Sequence, residues 1–475
     1  MYASKFLPLT RERRRGRYIS PHGSKTWEYL SIFACTLLIL SLGIVLGWNS
    51  PMVVLLSSPD SPIHDNKLDI STLTALLSTG QMLAPVINVL VTDKIGRKYT
   101  ILLCSLPLVA SWSIILMTKS AYMWYVARFL SGISVGVGFV VAPIYLGEIS
   151  SVKTRGANGT MISIMCNIGI LVSFIIVPYY SIRNTTASFI FLSICFVFLF
   201  SFIPESPYYL AMRGRMEEAE ETLQKLRGRI DVSDELTKID QFIKKEENNK
   251  IRFWSTLKDI FTIRRHRRAF FIIFLLTFNN FFSSYLPLIF YGQLIFKEIL
   301  STVSDYTINI VAGITLLLSS IVTGCFVDRL GRKLIILVSG IIVGICDLTI
   351  SSYFYAKDFF NIDVSSYFLI PIIASISSIF FCNLGFCSIL SIMMSEVFAA
   401  EVKVLSTCIL GIIGGILAMI NDQLYILLAI SLNYGHGLPF FGFCLLVWLS
   451  TALLYHFSLE TKGKTFIEIQ RELQD

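Results

Sequence analysis

Charged side chains are scarce in this chain of 475 residues. Asp, Glu, Lys and Arg make up 15% of it, whereas hydrophobic residues make up 54% and the mean hydropathy is +0.68. A soluble protein of this length would carry about 25% charged residues. Apolar runs of about 20 residues, each long enough to cross a bilayer as a helix, recur about twelve times. The composition therefore excludes a soluble enzyme and predicts a helical protein with many membrane spans.

Patterns that bind metals or carry out catalysis are also missing. The ten cysteines fall within apolar runs, where a thiol most often serves as a small apolar side chain. None has a partner at the spacing of a metal site, and the five histidines are scattered. No Ser/His/Asp set and no pair of carboxylates can be assembled. The sequence predicts no metal, no cofactor and no enzymatic activity.

Positive residues are unevenly distributed, which predicts the orientation. With twelve spans and a cytosolic amino terminus, 34 of the 40 Lys and Arg fall in cytosolic segments. Arg128 lies within a span, and five others fall in outer loops: Lys67, Lys119, Arg183, Lys297 and Lys357. Because positive loops stay in the cytosol, both termini are predicted to lie there, with the chain in the plasma membrane. This bias accounts for the net charge of +8 without a nucleic-acid partner.

The order of apolar and polar stretches predicts five segments. They are a basic cytosolic tail (1–28), a six-helix half (29–203), a cytosolic helical loop (204–268), a second six-helix half (269–457) and a cytosolic tail (458–475). Within the loop, 216–226 is predicted to form an amphipathic helix with Ala219, Leu223 and Leu226 on one face. Asn184 begins a glycosylation sequon in a short outer loop, so its occupancy stays open. The protein is predicted to be monomeric.

The two predicted halves contain the same short motifs in the same order. The repeats are Asp93–Lys98 with Asp328–Lys333, Glu148 and Arg155 with Glu396 and Lys403, and Pro204–Ser206 with Leu459–Thr461. Repeated halves related by an axis along the membrane normal are typical of transporters. Gly96 and Gly331 would allow a tight reversal between two spans in each half.

The repeated charges predict a network at the cytosolic ends of the spans. Its ten members are Asp93, Arg97, Glu148, Arg155, Glu205, Asp328, Arg332, Glu396, Lys403 and Glu460. Opposite charges placed there can bond across helix ends and complement the helix dipoles. The alternative is that these cations only set the orientation. The acidic residues recur at the same spacing from the cations in both halves. The rule that keeps Lys and Arg in the cytosol does not require these acids, so their repetition favours the network.

A few polar groups lie inside apolar runs. Arg128 would cost at least about 2.5 kcal/mol in the membrane unless it is paired, so it is predicted to face the interior; reaching the outer surface is the alternative. The seventh predicted span, at about 269–296, is rich in polar residues and interrupted by Pro287. This pattern indicates a substrate site. Asp347 and Asp422 also fall within spans, and a structural role is favoured for both.

On these motifs the chain resembles the sugar porter family of the major facilitator superfamily. The most specific residues are the two Asp-x-x-Gly-Arg-Lys turns, Tyr145–Glu148 leading to Arg155, Pro204–Pro207, and Glu460–Thr465. Within the family the pattern is most similar to insect facilitated trehalose transporters. The resemblance implies an all-α major facilitator fold with twelve transmembrane helices in two halves. It also implies transport by alternating access, with the charge network closing the inner face in the outward-open state.

The family's sugar-binding positions map onto polar residues of this chain. The resemblance implies substrate contacts from Asn167, Asn279, Asn280, Tyr291, Asn383 and Ser388. The chain departs from the family at Cys387–Ser391, which lacks two prolines and a Trp, and at Gly414–Gly415, which replaces an Asn-Trp pair. Each lost polar partner costs about 1–3 kcal/mol. An ordinary hexose is therefore expected to bind more weakly, in a pocket that the missing side chains leave roomier. The solute could be trehalose, a hexose or a polyol.

The residue opposite Arg128 bears on energy coupling. Proton-coupled relatives have an Asp at the end of span 1, and the matching residue here is Asn49. An amide does not exchange a proton near neutral pH, so we expect facilitated diffusion without proton coupling. Two alternatives stay open: a sugar sensor or receptor that does not transport, and a porter of a non-sugar solute. The direction of flux is not specified by the sequence.

Overall fold

The fold is an all-helical bundle, seen in a computed structural model. The structure describes residues 25–56, 63, 69–151, 155–248, 253–299, 306–432, 434–462, 464 and 466–474. The predicted amino-terminal tail therefore lies almost wholly outside the described residues. Two members of the predicted charge network, Arg155 and Asp328, are described by their backbone only.

Among the described residues, eleven helices are long and apolar enough to cross a membrane, and Arg155–Ile176 makes a twelfth member of the bundle. Numbered in chain order, spans 1 to 12 are Thr26–Leu56, Ile70–Ile95, Arg97–Met117, Ala121–Ile149, Arg155–Ile176, Ile182–Ser201, Arg264–Phe290, Tyr306–Val327, Arg332–Phe359, Ser365–Met394, Val402–Ser431 and Gly437–Phe457. The all-α architecture predicted from the sequence is confirmed.

Shorter helices lie between the two sets of six, between spans 7 and 8, and after span 12. They are Pro207–Met212, Met216–Arg227, Ser233–Asn248, Phe253–Thr262, Gly292–Ile299 and Phe466–Glu472. The amphipathic helix predicted in the loop is confirmed, and Ala219, Leu223 and Leu226 are buried. Acidic residues occupy its first turn and basic residues its last, which suits the helix dipole. Gly228 ends it in the left-handed conformation.

Small residues allow close packing within and between the halves. A Cβ atom on Gly132 of span 4 would lie 3.0 Å from the Cα atom of Gly80 in span 2, so both positions require glycine. Span 2 also packs against span 11, and span 5 packs against span 8. A Cβ atom on Gly415 would lie 3.0 Å from Cα of Met82, which brings spans 11 and 2 close together. These two pairs of spans form the main contact between the halves.

The hydrophobic core differs between the two ends of the bundle. We call the end where span 1 begins and span 12 ends the terminal face, and the opposite end the far face. Toward the far face, buried residues of both halves form one continuous cluster. Toward the terminal face, the second half has a separate cluster of its own, from Ile260 to Leu473. The halves are thus packed together at the far face and more independent at the terminal face.

Candidate functional site

Hydrogen bonds between spans 2, 7 and 11 join the halves near the far face. The hydroxyls of Thr74 and Tyr291 lie 2.6 Å apart, and both groups are buried. One turn deeper, the Ser78 hydroxyl donates to the carboxylate of Asp422 at 2.9 Å. Gln423 completes the set by donating its side-chain amide to a backbone carbonyl of span 2. Tyr291, predicted to contact sugar, is therefore part of the far-face closure.

Span 1 makes a second set of far-face contacts. The hydroxyl of Ser50 accepts a hydrogen bond from the backbone N–H of Gln293 at 2.9 Å. It also accepts one from the side-chain amide of Asn309 at 3.1 Å. All three residues are fully or almost fully buried. We did not predict them from the sequence, although Gln293 and Asn309 are isolated amides in apolar surroundings and could have been noticed.

Two asparagines converge on span 8 in the middle of the bundle. The amide of Asn167 in span 5 donates to the carbonyl of Leu316 at 3.1 Å and to the Ser320 hydroxyl at 2.6 Å. The amide of Asn383 in span 10 donates to the same two atoms, at 3.2 and 3.1 Å. The structure thus brings together two predicted sugar contacts from different halves. Ser320, which connects them, was missed because serines are common in apolar runs and usually bond only their own helix.

The remaining predicted sugar contacts are arranged differently. Asn279 is buried and accepts a hydrogen bond from Ser450 of span 12, so its carbonyl oxygen faces the neighbouring span. Asn280 is half-buried and its amide bonds no described residue. The hydroxyl of Ser388 donates to the backbone carbonyl of Asn383 within span 10. Of these, Asn280 makes no side-chain hydrogen bond to a described residue, and the Nδ2 atom of Asn279 also has no partner among the described residues.

Span 7 is interrupted where the sequence is most polar. Its helix ends at Phe281 and resumes at Tyr285, which leaves carbonyl groups without helical partners. The amide of Asn421 in span 11 donates to two of them, on Phe281 at 2.9 Å and on Ser283 at 3.2 Å. Non-helical backbone at membrane depth requires partners of this kind. Asn421 therefore stabilises the break in span 7.

Arg128 faces the interior, as its cost in the membrane predicts. The residue is fully buried, and its guanidinium donates to the side-chain carbonyl of Asn49. The guanidinium also lies over the ring of Trp48, 5.0 Å from the centroid, where a cation–π interaction offsets part of its desolvation. Its Nε and Nη1 atoms have no hydrogen-bond partner among the described residues. The predicted juxtaposition of Asn49 and Arg128 is present.

The first half contains a compact set of charges at the terminal face. Arg97 pairs with Asp93 and with Glu148, each at 3.2 Å. Glu148 also accepts a hydrogen bond from the hydroxyl of Ser206. The carboxylate of Glu205 accepts from the backbone N–H of Lys98 at 2.9 Å, at the start of span 3.

The described residues of the second half repeat this arrangement. Arg332 pairs with Glu396 at 3.0 Å. Glu460 accepts from the backbone N–H groups of Arg332 and Lys333, at 3.0 and 3.1 Å. Lys403 is half-buried on span 11. Arg97 and Arg332 thus each pair within their own half in this conformation.

The glycines of the two turns are required by the backbone. Gly96 has φ +103° and Gly331 has φ +89°, a region that side chains with a Cβ atom rarely adopt. A Cβ atom at Gly331 would also lie 2.8 Å from the carboxylate of Glu460. The sequence prediction of a tight reversal at both positions is confirmed.

The two equivalent glutamates differ in electrostatics. Burial raises the pKa of Glu205, and its hydrogen bonds to Lys98 and Ser206 offset this only in part. Burial acts in the same direction on Glu460, but backbone N–H donors and Arg332 outweigh it, so its pKa lies below the ordinary value. Both carboxylates accept from backbone N–H groups, so the difference arises because Glu460 is less buried and loses less solvation.

The bundle and its paired halves define the class: this is a membrane protein with the major facilitator fold. The xylose transporter XylE from E. coli in an inward-open conformation superposes with a TM-score of 0.75. The proton:xylose symporter XylE bound to 6-bromo-6-deoxy-D-glucose gives 0.74. Both are 17% identical in sequence to this chain and cover 94% of it and 99% of their own chains. At that identity the likeness establishes the fold alone.

The particular family follows from the sequence. A family model described as sugar (and other) transporter matches residues 21–473, so the chain belongs to this family. It is similar to the facilitated trehalose transporter Tret1 of Apis mellifera ligustica, with 28% identity over 94% of this chain and 88% of the relative. Tret1 of Bombyx mori is 24% identical over 94% and 86%. The resemblance recognised from the motifs is confirmed.

Proposed function

We propose that the chain carries trehalose or a related sugar across the plasma membrane, down its gradient, by alternating access. The observation that carries this proposal is the match to the sugar transporter family over residues 21–473. The facilitated trehalose transporters among its relatives support the disaccharide class. The concentration of Lys and Arg in the segments of the terminal face supports placing that face in the cytosol.

The packing of the two halves supports alternating access. They share one core toward the far face, whereas the second half has its own core toward the terminal face. We interpret this as a state closed to the outside. The outward-open state requires the breaking of the bonds from Thr74, Ser78 and Ser50 to the second half. Each such bond contributes about 1 kcal/mol net, so the closure can be broken during turnover.

The proposed sugar site lies around Asn167, Asn280 and Asn383. Asn280 has no bond to satisfy elsewhere, and Asn167 and Asn383 share the same two acceptors on span 8. Sugar hydroxyls can replace those acceptors, because an amide both donates and accepts hydrogen bonds. Asn279 is a weaker candidate, since it already accepts from Ser450. Tyr291 would close the site on the outer side.

Two further features fit the proposal. The partner of Arg128 is Asn49, whose amide cannot release a proton near neutral pH, which supports transport without proton coupling. In this conformation Arg97 and Arg332 each pair with a glutamate of their own half, so contacts between the halves would require a rearrangement toward the outward-open state. We propose that they close the cytosolic side in that state.

The test is uptake of labelled trehalose, glucose, fructose and a polyol into voltage-clamped oocytes that express the chain. We expect saturable uptake of at least one sugar, trehalose first, with no inward current on sugar addition. Oocytes injected with water, and oocytes expressing Asn167→Leu with Asn280→Leu at equal surface amount, serve as controls. Absence of uptake for every sugar would contradict the proposed substrate class. A sugar-evoked proton current would contradict the proposed lack of coupling.

A further inference from the structure

A column of polar and aromatic side chains connects the far surface of the second half to its contact with the first half. It begins at Glu298, just after span 7, and continues through His436 and Tyr425 to Tyr291 and Thr74. The last two form the contact between the halves described above. Glu298, His436 and Tyr425 belong neither to the proposed sugar site nor to the charge network, so their arrangement needs its own explanation.

The imidazole of His436 is engaged through both ring nitrogens. Its Nε2 atom lies 3.2 Å from Oε1 of Glu298, and its Nδ1 atom lies 2.8 Å from the hydroxyl of Tyr425. An ionised carboxylate only accepts hydrogen bonds, so Nε2 carries a proton, and in the neutral ring Nδ1 accepts the proton of Tyr425. His436 is buried, whereas the side chain of Glu298 is 46% exposed. The imidazole therefore connects a surface carboxylate to a buried phenol.

Stacked rings extend this connection to the other half. The rings of His436 and Tyr425 lie 5.8 Å apart at 18°, and those of Tyr425 and Tyr291 lie 5.3 Å apart at 16°. Both tyrosines are fully buried. Stacking in a closely packed interior fixes the position of each ring relative to the next. A displacement of His436 is therefore transmitted to Tyr291, which bonds Thr74.

The backbone around His436 is held in place. Gly435 has φ +72°, and a Cβ atom there would collide with the carboxylate of Asp358, so this position requires glycine. On the other side, the hydroxyl of Ser351 donates to the carbonyl of Gly437 at 2.8 Å. The turn between spans 11 and 12 is thus anchored to span 9. This anchoring sets the direction of the imidazole.

The charged groups around the imidazole are few. Glu298 lies after span 7, Lys357 and Asp358 lie at the end of span 9, and Phe354 contacts the ring edge-on at 5.0 Å. Burial alone would raise the pKa of Glu298, but the hydrogen bond from His436, with the charge of Lys357, lowers it below the ordinary value. The carboxylate is therefore ionised at neutral pH and accepts from the imidazole.

We propose that His436 is a positioning residue of the far-face gate: it holds Tyr425, and through it Tyr291, against Thr74, and the pH on the far side changes the strength of that hold. The contacts from Glu298 to Thr74 described above support the positioning role. Its consequence for uptake rests on the proposed function, which places the far face outside the cell.

Protonation of the imidazole strengthens the closed gate. An imidazole is the side chain whose charge changes between about pH 5 and pH 8. A second ring proton turns the contact with Glu298 into an ion pair. The hydroxyl of Tyr425 can accept as well as donate, so its bond to Nδ1 persists with the direction reversed. Acid outside therefore favours the closed gate and slows a carrier that must open there to take up sugar.

A distance measurement tests the gate without any substrate. Spin labels on Lys119→Cys and Ile362→Cys, exposed on the far side of the first and second halves, report their separation by double electron–electron resonance. The ten native cysteines are replaced by serine. We expect more of the short-distance population at about pH 6 than at about pH 8 in the parent, and no change with pH in His436→Gln.

Two further variants test whether the pH response of the distances depends on His436 and on the hydroxyl of Tyr425. His456→Gln is the matched control, because this exposed histidine lies at the terminal-face end of span 12, and it should keep the response of the parent. Tyr425→Phe keeps the stacked ring and removes only the hydroxyl, so it should shift the distances toward the open state at both pH values. A pH response that persists in His436→Gln, or a parent that shows none, would overturn the proposal.

Uptake provides the functional measurement. We expect uptake of labelled trehalose into oocytes to be about threefold lower at an external pH of about 6 than at about 8, and to be independent of pH in His436→Gln. If the parent moves no trehalose, the proposed substrate is wrong, while the distance measurement still decides the role of His436. If the parent moves trehalose and His436→Gln keeps the pH profile, the role of His436 is wrong and the transport function stands.

Discussion

The two halves are alike at the terminal face and unlike inside. Each has a glycine with positive φ between two spans, an arginine paired with a glutamate of a neighbouring span, and a second glutamate that accepts from backbone N–H groups. This repeated set fixes the ends of the helices. The two halves differ in the interiors of their spans.

Inside the bundle, the described spans of the first half remain α-helical apart from the turn at Trp48, although spans 2, 3 and 4 contain Pro85, Pro107 and Pro143, and the second half is less regular. The bend of span 1 at Trp48 keeps its helical hydrogen bonds, from Trp48 to Ile44 and from Met52 to Trp48. In the second half, span 7 is interrupted, and three spans contain π-helical turns: Tyr355–Phe359, Asn383–Cys387 and Leu427–Ser431. π-helical turns inside α-helices are frequent at functional sites.

This difference indicates that the two halves have different roles. The first half supplies a regular surface, with hydroxyls at Ser50, Thr74 and Ser78 that contact the second half. The second half contains the irregular backbone and most of the buried amides that support it. We infer that the second half adapts to the substrate while the first half acts mainly as a rigid partner. The predictions below test that inference.

The largest effect is expected from removing the paired arginine of the first half. Arg97→Ala leaves the partly buried Glu148 with the hydroxyl of Ser206 as its remaining partner, which should lower stability by about 3–5 kcal/mol. Arg332→Ala leaves the more exposed Glu396 and should cost about 1.5–3 kcal/mol. Melting temperatures of the two variants in detergent measure both losses of stability. An equal loss in both variants would contradict the stronger anchoring of the first half.

The next effect concerns the break in span 7. Asn421→Leu removes the donor to the carbonyls of Phe281 and Ser283, and each buried group left unpaired costs about 1–3 kcal/mol. Asn279→Leu is the matched control, because its partner Ser450 also donates to a carbonyl of its own helix. We expect Asn421→Leu to reduce both the melting temperature and sugar uptake, and the control to change the melting temperature only slightly. Equal effects would show that the break needs no support.

A smaller effect is expected from either of the two asparagines that meet on span 8. Asn167→Leu removes the bond between the halves, whereas Asn383→Leu removes a bond within the second half. Because each is worth about 1 kcal/mol, uptake should fall roughly fivefold to tenfold in either variant. Asn184→Leu, exposed at the start of span 6, should have no effect on uptake. Unchanged uptake in both variants would remove these residues from the proposed sugar site.

The smallest effect separates the two equivalent glutamates by their pH dependence. The pKa of Glu205 is raised above its ordinary 4.5, so its contribution to stability is greatest in acid and is lost as the pH rises through that raised value. The pKa of Glu460 is lowered, so its contribution is present above 4.5 and is lost as the pH falls through the lowered value.

Glutamine substitutions at the two positions should give opposite trends of melting temperature with pH. On acidification from about pH 7 to pH 4, the melting temperature of Glu205→Gln should fall further below that of the parent, while the deficit of Glu460→Gln should shrink. Thermal unfolding in detergent across that range measures both. Parallel trends for the two variants would contradict the assigned shifts.

The fold and the anchors could be predicted from the sequence because their signals are redundant. Twelve apolar runs and three repeated motifs each constrain the topology, and the glycines at 96 and 331 are dictated by backbone geometry. Arg128 was predicted to face the interior because the energetic cost of any other position is large. The helix of the cytosolic loop followed from its apolar period.

The contacts within the site could not be predicted, for two physical reasons. Adjacent residues on a helix differ by about 100° in direction, so Asn279 turns to span 12 while Asn280 does not, and the sequence does not specify the rotation of the helix. Hydroxyls such as Ser50 and Ser320 resemble the many serines that bond only their own helix, for example Ser41 to Leu37. Their role depends on which span lies opposite.

Flux through the purified protein tests the proposed sugar transport most directly. Labelled trehalose is added to vesicles that contain the protein, with and without a proton gradient and with unlabelled trehalose inside. The proposed carrier should give saturable entry that is accelerated by internal trehalose and independent of the gradient. Entry no faster than into protein-free vesicles, or entry only with the gradient, would contradict it.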